Sequence, residues 1–175
     1  HSVNPSARSV EYASPAPTES IAGMDVASFR ELLEPAGRTA VEQATAALDA
    51  GGDPLTVTTR IRRSFPDLPA PVAAAAITQA QLRRRARPKF GPDADRMWFT
   101  ADGVEQATRV EVADHRAARF AALGASLGRP TRIADLCCGV GGDLLALAAA
   151  GCDVTGYDRD ELTVEVARAN IVSLA

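Results

Sequence analysis

The stretch Ile133-Ala-Asp-Leu-Cys-Cys-Gly-Val-Gly-Gly142 decides the fold of this chain. Its first residues are typical of a buried strand and its glycines of a tight turn, and the Asp143-Leu-Leu-Ala-Leu-Ala that follows is typical of a helix. A second apolar run, Val154-Thr-Gly-Tyr, ends at Asp158. We predict strands at 132–136 and 153–158 and helices at 142–150 and 162–174, with parallel strands and a right-handed crossover.

The turn is typical of a nucleotide-cofactor site at the carboxyl edge of a parallel sheet, with Gly139, Gly141 and Gly142 forming the cradle. A dinucleotide-binding turn has a third glycine where this chain has Leu144. The acidic residues on both sides of the turn would also repel a pyrophosphate. The pattern therefore speaks against NAD.

The same acidic residues favour S-adenosylmethionine, which has no phosphate and carries a cationic ammonium and sulfonium. Asp135 suits the methionine end, and Asp158 would accept hydrogen bonds from ribose hydroxyls. Asp143 is either part of this site or an ordinary charge at a helix N-terminus. Arg159 is included in the predicted site, although a solvated neighbour is the simpler interpretation.

At these residues a family resemblance becomes specific. Asp135-Leu-Cys-Cys-Gly-Val-Gly-Gly-Asp143 with Tyr157-Asp158 resembles motifs I and II of class I S-adenosylmethionine-dependent methyltransferases, which places Cys137 in the cofactor motif. The Cys-Gly-Val-Gly-Gly core is similar to the trimethylguanosine synthase branch and to bacterial, actinobacterial-looking methyltransferases with a THUMP-like domain. The stretches 90–100 and 103–108 resemble the segment before the catalytic core in that bacterial group.

The resemblance covers roughly 24–175 and implies an α/β fold, an all-helical domain followed by the first βαβα half of a Rossmann-like sheet. The Asp/Asn-Pro-Pro-type motif of the family is absent, so the catalytic residues are unknown. We expect an N-terminal fragment of a longer enzyme, itself inactive. The resemblance also implies that Gln106 and Thr108 lie near the methionine end of the cofactor, although Thr108 fits a plain N-cap. Trp98 and Phe99 would stack a base, as in related cap-modifying enzymes, or pack in the core.

The 175 residues carry a net charge of −3, which argues against nonspecific coating of nucleic acid or membrane. There is no long apolar run and no secretory signal, so a cytoplasmic protein is expected. The three cysteines, Cys137, Cys138 and Cys152, fit neither a disulfide framework nor a metal site and are interpreted as small buried turn residues.

Three regions are predicted: a disordered tail at 1–22, a helical domain at 23–90, and a connector with the first part of the methyltransferase domain at 91–175. Asp53 as N-cap and Pro54 at the first position mark a clear helix start. Pro88 is expected to end the helix that begins near residue 70. Thr108-Arg-Val-Glu111 is interpreted as a capping box. The predicted apolar face of the helical domain consists of Phe29, Leu32, Leu33, Val41, Leu48, Leu55, Val57, Ile61, Phe65, Val72, Ile77 and Leu82.

Positive charge is concentrated in one part of the helical domain. Five cations lie near the end of the predicted helix that begins near residue 70, and Arg60, Arg62 and Arg63 lie one helix earlier. Together these side chains form either solvated helix faces or a phosphate-binding surface. The five cations of the later helix are Arg83, Arg84, Arg85, Arg87 and Lys89.

The function predicted from these features is the N-terminal portion of an S-adenosylmethionine-dependent methyltransferase that acts on RNA. The alternative is a helical RNA- or protein-binding module in which the half-sheet serves assembly. An exposed sheet edge would be hidden by homodimerisation or strand exchange.

Overall fold

A computed structural model describes residues 8–12 and 24–174 of the chain, which are mostly helical with a small parallel sheet. This agrees with an α/β fold class; the Rossmann-like organisation of the complete sheet stays a prediction. The elements in chain order are β1 (Arg8–Tyr12), α1 (Val26–Leu32), α2 (Pro35–Asp49), α3 (Pro54–Ser64), α4 (Ala70–Phe90), a 3₁₀-helix (Gly91–Asp95), α5 (Ala101–Gln106), α6 (Val110–Ser126), β2 (Arg132–Leu136), α7 (Gly142–Ala149), β3 (Asp153–Asp158) and α8 (Glu161–Leu174).

The start of α3 confirms the sequence prediction. Pro54 is the first helical residue, and the Asp53 carboxylate accepts a hydrogen bond from Thr56 N at 3.0 Å. A side-chain acceptor at this position satisfies a backbone N–H that the helix itself leaves unpaired. The bounds of β2 and β3 also match the predicted strands.

The prediction that Pro88 ends α4 is wrong, because the helix continues to Phe90. Phe90 is 4% exposed and packs against Phe99 with ring centroids 5.5 Å apart. The Lys89 ammonium donates to the carbonyl oxygens of Val104 and Ala107. These tertiary contacts outweigh the one helical hydrogen bond that proline removes, and the helix ends instead at Gly91 with φ 58°.

The predicted capping box is also wrong. The N-cap of α6 is Arg109, without a side-chain cap, so Thr108 lies one residue too early to act there.

The sheet has the order β1-β3-β2, and both pairings are parallel as predicted for β2 and β3. The strand β1 corrects the expectation of a disordered tail for its own five residues. Val10 is 5% exposed, and its carbonyl oxygen accepts from Arg168 Nη2 at 2.8 Å. Ser9-Val10-Glu11, in which polar and apolar residues alternate, thus pairs with the backbone groups on the outer edge of β3. The rest of the predicted tail lies outside the described residues.

One buried cluster runs through the helical region and continues into the α/β unit. Val140, Val166 and Ala169 belong to the same cluster as the core of α1 to α4. The helical region therefore shares packed side chains with the glycine turn and α8, and the division at residue 90 stays a prediction. Leu55 is 76% exposed, contrary to the predicted apolar face, because it points away from the buried Val57 and Ile61 of α3.

Helices cover one face of the sheet. Leu144 of α7 and Ala167 of α8 are fully buried with Val154 in a second cluster. On the opposite face Ala134 is exposed and Leu136 is 73% exposed. Within the described residues no helix is both long and apolar enough to cross a membrane.

Candidate cofactor-binding site

The glycine turn lies at the carboxyl ends of β2 and β3, where the sequence placed it. The amide of Cys138 donates to Tyr157 O at 2.9 Å, and the amide of Gly139 donates to the Asp158 carboxylate at 3.1 Å. Asp135 stands opposite Gly156 in the strand register. The fold thus brings Asp135, the turn and Asp158 to one edge of the sheet.

Asp135 is the least satisfied polar group of this edge. It is half-buried, and its Oδ2 is buried without a hydrogen-bond partner in the described part of the chain. Burial raises the pKa of Asp135 to about 6; repulsion from Asp143 and Asp158 adds to the effect, and Arg116 opposes it. A cation or a hydrogen-bond donor placed here would stabilise the ionised carboxylate.

Asp158 has a structural role that the sequence did not reveal. One of its oxygens accepts from Gly139 N and the other from Asp160 N, each at 3.1 Å. A carboxylate oxygen has two lone pairs, so both oxygens can accept a further hydrogen bond. Asp158 therefore anchors the turn and still has acceptor capacity for hydroxyl donors.

The three glycines of the turn differ in what they face. A Cβ on Gly139, whose φ is 55°, would meet nothing within 4 Å, whereas a Cβ on Gly142 would lie 3.1 Å from the Phe90 ring. Gly141 has φ 86° and faces Ala167 at ordinary contact distance. Only Gly139 lies beside open space, so it is the glycine at which a ligand can approach the backbone closely.

The cysteines separate into two kinds. Cys138 and Cys152 are buried as predicted, and burial raises the pKa of the Cys138 thiol to about 12. Cys137 is exposed, contrary to the prediction, and has φ 66°. For a residue with a side chain this conformation is strained by about 1–2 kcal/mol. The strain lies between the end of β2 and Gly139.

Arg116 belongs to this edge although the sequence did not single it out. It extends from α6 and pairs with Asp143, in the first turn of α7, at 2.5 Å. Nothing in the local pattern of α6 marks it; only the packing of α6 on α7 brings it here. Arg159 is exposed beside Asp158.

A second missed residue is Asn170 of α8, which is fully buried. Its Oδ1 accepts from Trp98 N at 2.6 Å, and its Nδ2 donates to Trp98 O at 2.9 Å and to Val140 O at 2.8 Å. One side chain thus connects the connector, the glycine turn and α8. The available signal was a lone amide in the predicted helix, with the apolar Ala169 and Ile171 on either side.

The predicted neighbours of the methionine end lie at the end of α5 and just after it. Gln106 is exposed and Thr108 is half-buried, and neither hydrogen-bonds to the glycine turn within the described ranges. α5 meets the turn through Gly103, where a Cβ would come within 2.4 Å of Val140. The roles predicted for Gln106 and Thr108 stay predictions.

Trp98 and Phe99 lie in the core at 1% and 0% exposure. Phe29 packs edge-on against Trp98 with ring centroids 5.7 Å apart, and the Arg83 guanidinium lies over the Trp98 ring. Neither ring has an exposed face, which corrects the interpretation that they stack a base and leaves core packing.

Most cations of α4 are engaged by acidic side chains or backbone carbonyls of the chain, and the phosphate-binding role predicted for them stays a prediction. Arg84 and Arg87 pair with Asp49 at the end of α2, and Arg87 also pairs with Asp95. Arg85 pairs with Glu105, Lys89 is bound to carbonyl oxygens, and Arg83 is 5% exposed. The sequence showed the positive charges, but not the acidic residues that the fold places beside them.

Comparison with known proteins agrees with the predicted cofactor. Residues 25–86 match the family model described as a domain of unknown function, DUF8688. Two proteins of Mycobacterium tuberculosis, from strains CDC 1551 and H37Rv, are each 35% identical to this chain over 98 residues, 53% of this chain and 25% of the relative. Both are named uncharacterized S-adenosylmethionine-dependent methyltransferases. The matched part is about a quarter of the length of these relatives. No solved structure matches the chain.

Proposed function

We propose that this chain forms the cofactor-binding part of an S-adenosylmethionine-dependent methyltransferase. The observation that carries the proposal is the buried, unpartnered Oδ2 of Asp135 at the same edge of the sheet as the open backbone of Gly139. The names of the mycobacterial relatives support the same cofactor. Methyl transfer by the whole protein, and the substrates of that reaction, are part of what we propose.

Each residue has a distinct task in this site. Asp135 accepts from the cationic methionine end, which offsets the cost of its burial. Asp158 accepts from ribose hydroxyls through its remaining lone pairs while it holds Gly139 in place. The cofactor supplies a methyl group already activated by its sulfonium, so the chain binds and orients it rather than activating it.

The test is a calorimetric titration of S-adenosylhomocysteine into the protein and into Asp158→Asn and Asp135→Asn. We expect saturable binding that weakens by about tenfold or more, about 1.4 kcal/mol, in each variant. Asp114→Asn, which changes an exposed carboxylate of α6, serves as the matched control and should bind like the unchanged protein. Equal affinity in all four proteins, or tighter binding of NADH than of S-adenosylhomocysteine, would refute the proposal.

We also infer that RNA accepts the methyl group. The support for this inference comes from the cations of α3 rather than from those of α4. Arg60, Arg62 and Arg63 are exposed, and within the described residues they have no acidic partner. Affinity for single-stranded RNA, followed by fluorescence anisotropy, should fall steeply with salt and drop in the triple Arg→Glu variant. The exposed Arg119→Glu on α6 is the control; unchanged affinity in the triple variant would remove the inference.

A further inference from the structure

A polar cavity of about 240 Å³ lies away from the glycine turn, between α2, α4, the connector and the end of α8. It is bordered by three arginines, two acids and an indole: Arg38, Arg83, Arg96, Glu42, Asp95 and Trp98. None of these residues belongs to the proposed cofactor site.

Arg83 is the central group of this cavity. It is 5% exposed, and its Nε donates to Met97 O at 2.9 Å. Burial lowers the pKa of Arg83 to about 10, so the guanidinium stays charged at neutral pH. The nearby carboxylates of Asp95 and Glu42 favour its charged form, but neither forms an ion pair with it in the described chain. A buried guanidinium is normally paired with an anion, so Arg83 has donors that the protein does not use.

Trp98 borders the same cavity and holds two of its guanidinium groups against its ring. Its indole Nε1 is buried and has no hydrogen-bond partner in the described part of the chain. The guanidinium carbons of Arg83 and Arg38 lie 4.8 Å and 5.5 Å from the centroid of its ring. The cation–π contacts stabilise the two charges in part, but they supply no acceptor for the N–H groups.

The balance of charge around the cavity is positive. Three guanidinium groups face the two carboxylates of Glu42 and Asp95 across the cavity. Asp95 is shared with Arg87 at 2.8 Å, and Asp93 lies 4.0 Å from Arg96 at the rim. Arg38 and Arg96 are held in place by donating to the carbonyl oxygens of Leu33 and Ser173. A guanidinium has five N–H donors, so both retain donors for a ligand.

We propose that this cavity binds a small tetrahedral oxyanion, either free phosphate or the terminal phosphate of a small ligand. The planar guanidinium forks of Arg38 and Arg83 match the paired oxygens of such a group. The site is independent of the cofactor site and rests on none of its residues.

The test is a calorimetric titration of inorganic phosphate, to about 10 mM, at constant ionic strength. We expect saturable binding that weakens by about tenfold or more in Arg38→Gln and Arg83→Met. Arg38 is exposed at the rim, so Arg38→Gln keeps the test valid even if Arg83→Met fails to fold. Arg62→Gln, an exposed arginine of α3, is the matched control and should bind phosphate like the unchanged protein.

A parallel titration with adenosine 5′-monophosphate separates the two sources. Tighter binding than that of phosphate, with the same loss in Arg38→Gln, assigns the site to a phosphorylated ligand; equal or weaker binding assigns it to the free anion. Absence of saturable phosphate binding, or equal affinity in the unchanged protein and Arg38→Gln, would overturn the proposal. S-adenosylhomocysteine binding should be the same in Arg38→Gln, so failure here is distinct from failure at the cofactor site.

Discussion

The helical region from Met24 to Ala107 and the sheet unit that follows it differ in how completely they bury their apolar surface. Phe29, Leu32 and Ile61 are 0% exposed in the helical core. Among the strongly exposed large apolar side chains of the described residues, only Leu55 lies in the helical region; the others are Val110, Val112, Leu123, Leu127, Leu136 and Val172. The helical region thus leaves little large apolar surface exposed, although its core continues into the glycine turn and α8, whereas the sheet unit has one covered and one exposed face.

Each region contains one buried polar atom without a partner in the described residues, Trp98 Nε1 in the helical region and Asp135 Oδ2 in the sheet unit. The two regions differ in that, over the described part of the chain, only the sheet unit combines such an atom with a strained non-glycine residue. Gln79 of α4 is fully buried, and its amide pairs with both the N–H and the carbonyl of Phe99. The sheet unit contains the unpartnered Asp135 oxygen and the strained backbone of Cys137. Unsatisfied or strained groups are expected where a protein binds a ligand, because binding rather than folding has determined those residues.

The largest expected effect compares one leucine from each region. Leu32→Ala removes a fully buried side chain and should lower the free energy of unfolding by about 2–5 kcal/mol. Leu136→Ala removes a side chain that is 73% exposed and should change it by about 0.5 kcal/mol or less. Urea unfolding of both variants measures the difference; equal losses would mean that the bare face of the sheet is covered in solution.

The second prediction concerns the buried amides. Asn170→Leu leaves the N–H of Trp98 and the carbonyl oxygens of Trp98 and Val140 unpaired, at a cost of about 2–4 kcal/mol. Gln79→Leu, the matched change inside the helical region, should cost about as much. Only Asn170→Leu should speed hydrogen exchange in the glycine turn. Faster exchange there in both variants would show that the two regions unfold as one unit.

The third prediction concerns the pH dependence of stability. The pKa of Asp135 is raised to about 6 in the folded protein, so the unfolded chain ionises this group first and stability falls as pH rises from about 4 to about 6. Asp135→Asn should therefore stabilise the free protein by about 1–3 kcal/mol at pH 8, and the gain should vanish near pH 4. Thermal or urea unfolding at both pH values measures it, with Asp114→Asn as the control. An equal gain in the free energy of unfolding at both pH values would contradict the raised pKa of Asp135.

The smallest effect is expected at the strained turn. Cys137→Gly should raise the free energy of unfolding by up to about 1 kcal/mol, because glycine adopts φ 66° without strain but loses more entropy on folding. Cys138→Gly, next to it and buried, should lower stability instead. A loss of stability in Cys137→Gly would show that its side chain contributes packing.

Local signals in the sequence predicted the elements well, and contacts between distant residues account for the errors. The Asp53-Pro54 helix start and both predicted strands depend on neighbouring residues and agree with the structure. Pro88 lies inside α4 because the residues after it pack against the connector. No pattern near Arg87 shows that Asp49 lies beside it.

The candidate site shows the same division. The sequence was sufficient to predict that Asp135, the glycine turn and Asp158 lie at one edge of the sheet, because the strand and turn patterns determine that edge. Arg116 and Asn170 could not be predicted, because each reaches the turn from a helix whose packing the sequence does not specify.

The most direct measurement of the central claim is the affinity of S-adenosylmethionine between pH 5 and pH 7 in the unchanged protein and in Asp135→Asn. If Asp135 holds the cationic end of the cofactor, the affinity of the unchanged protein should rise through about pH 6 as the carboxylate ionises, and the affinity of the variant should stay low and flat. The same rise in both proteins would contradict the claim and would assign the cofactor, if it binds, to groups other than Asp135.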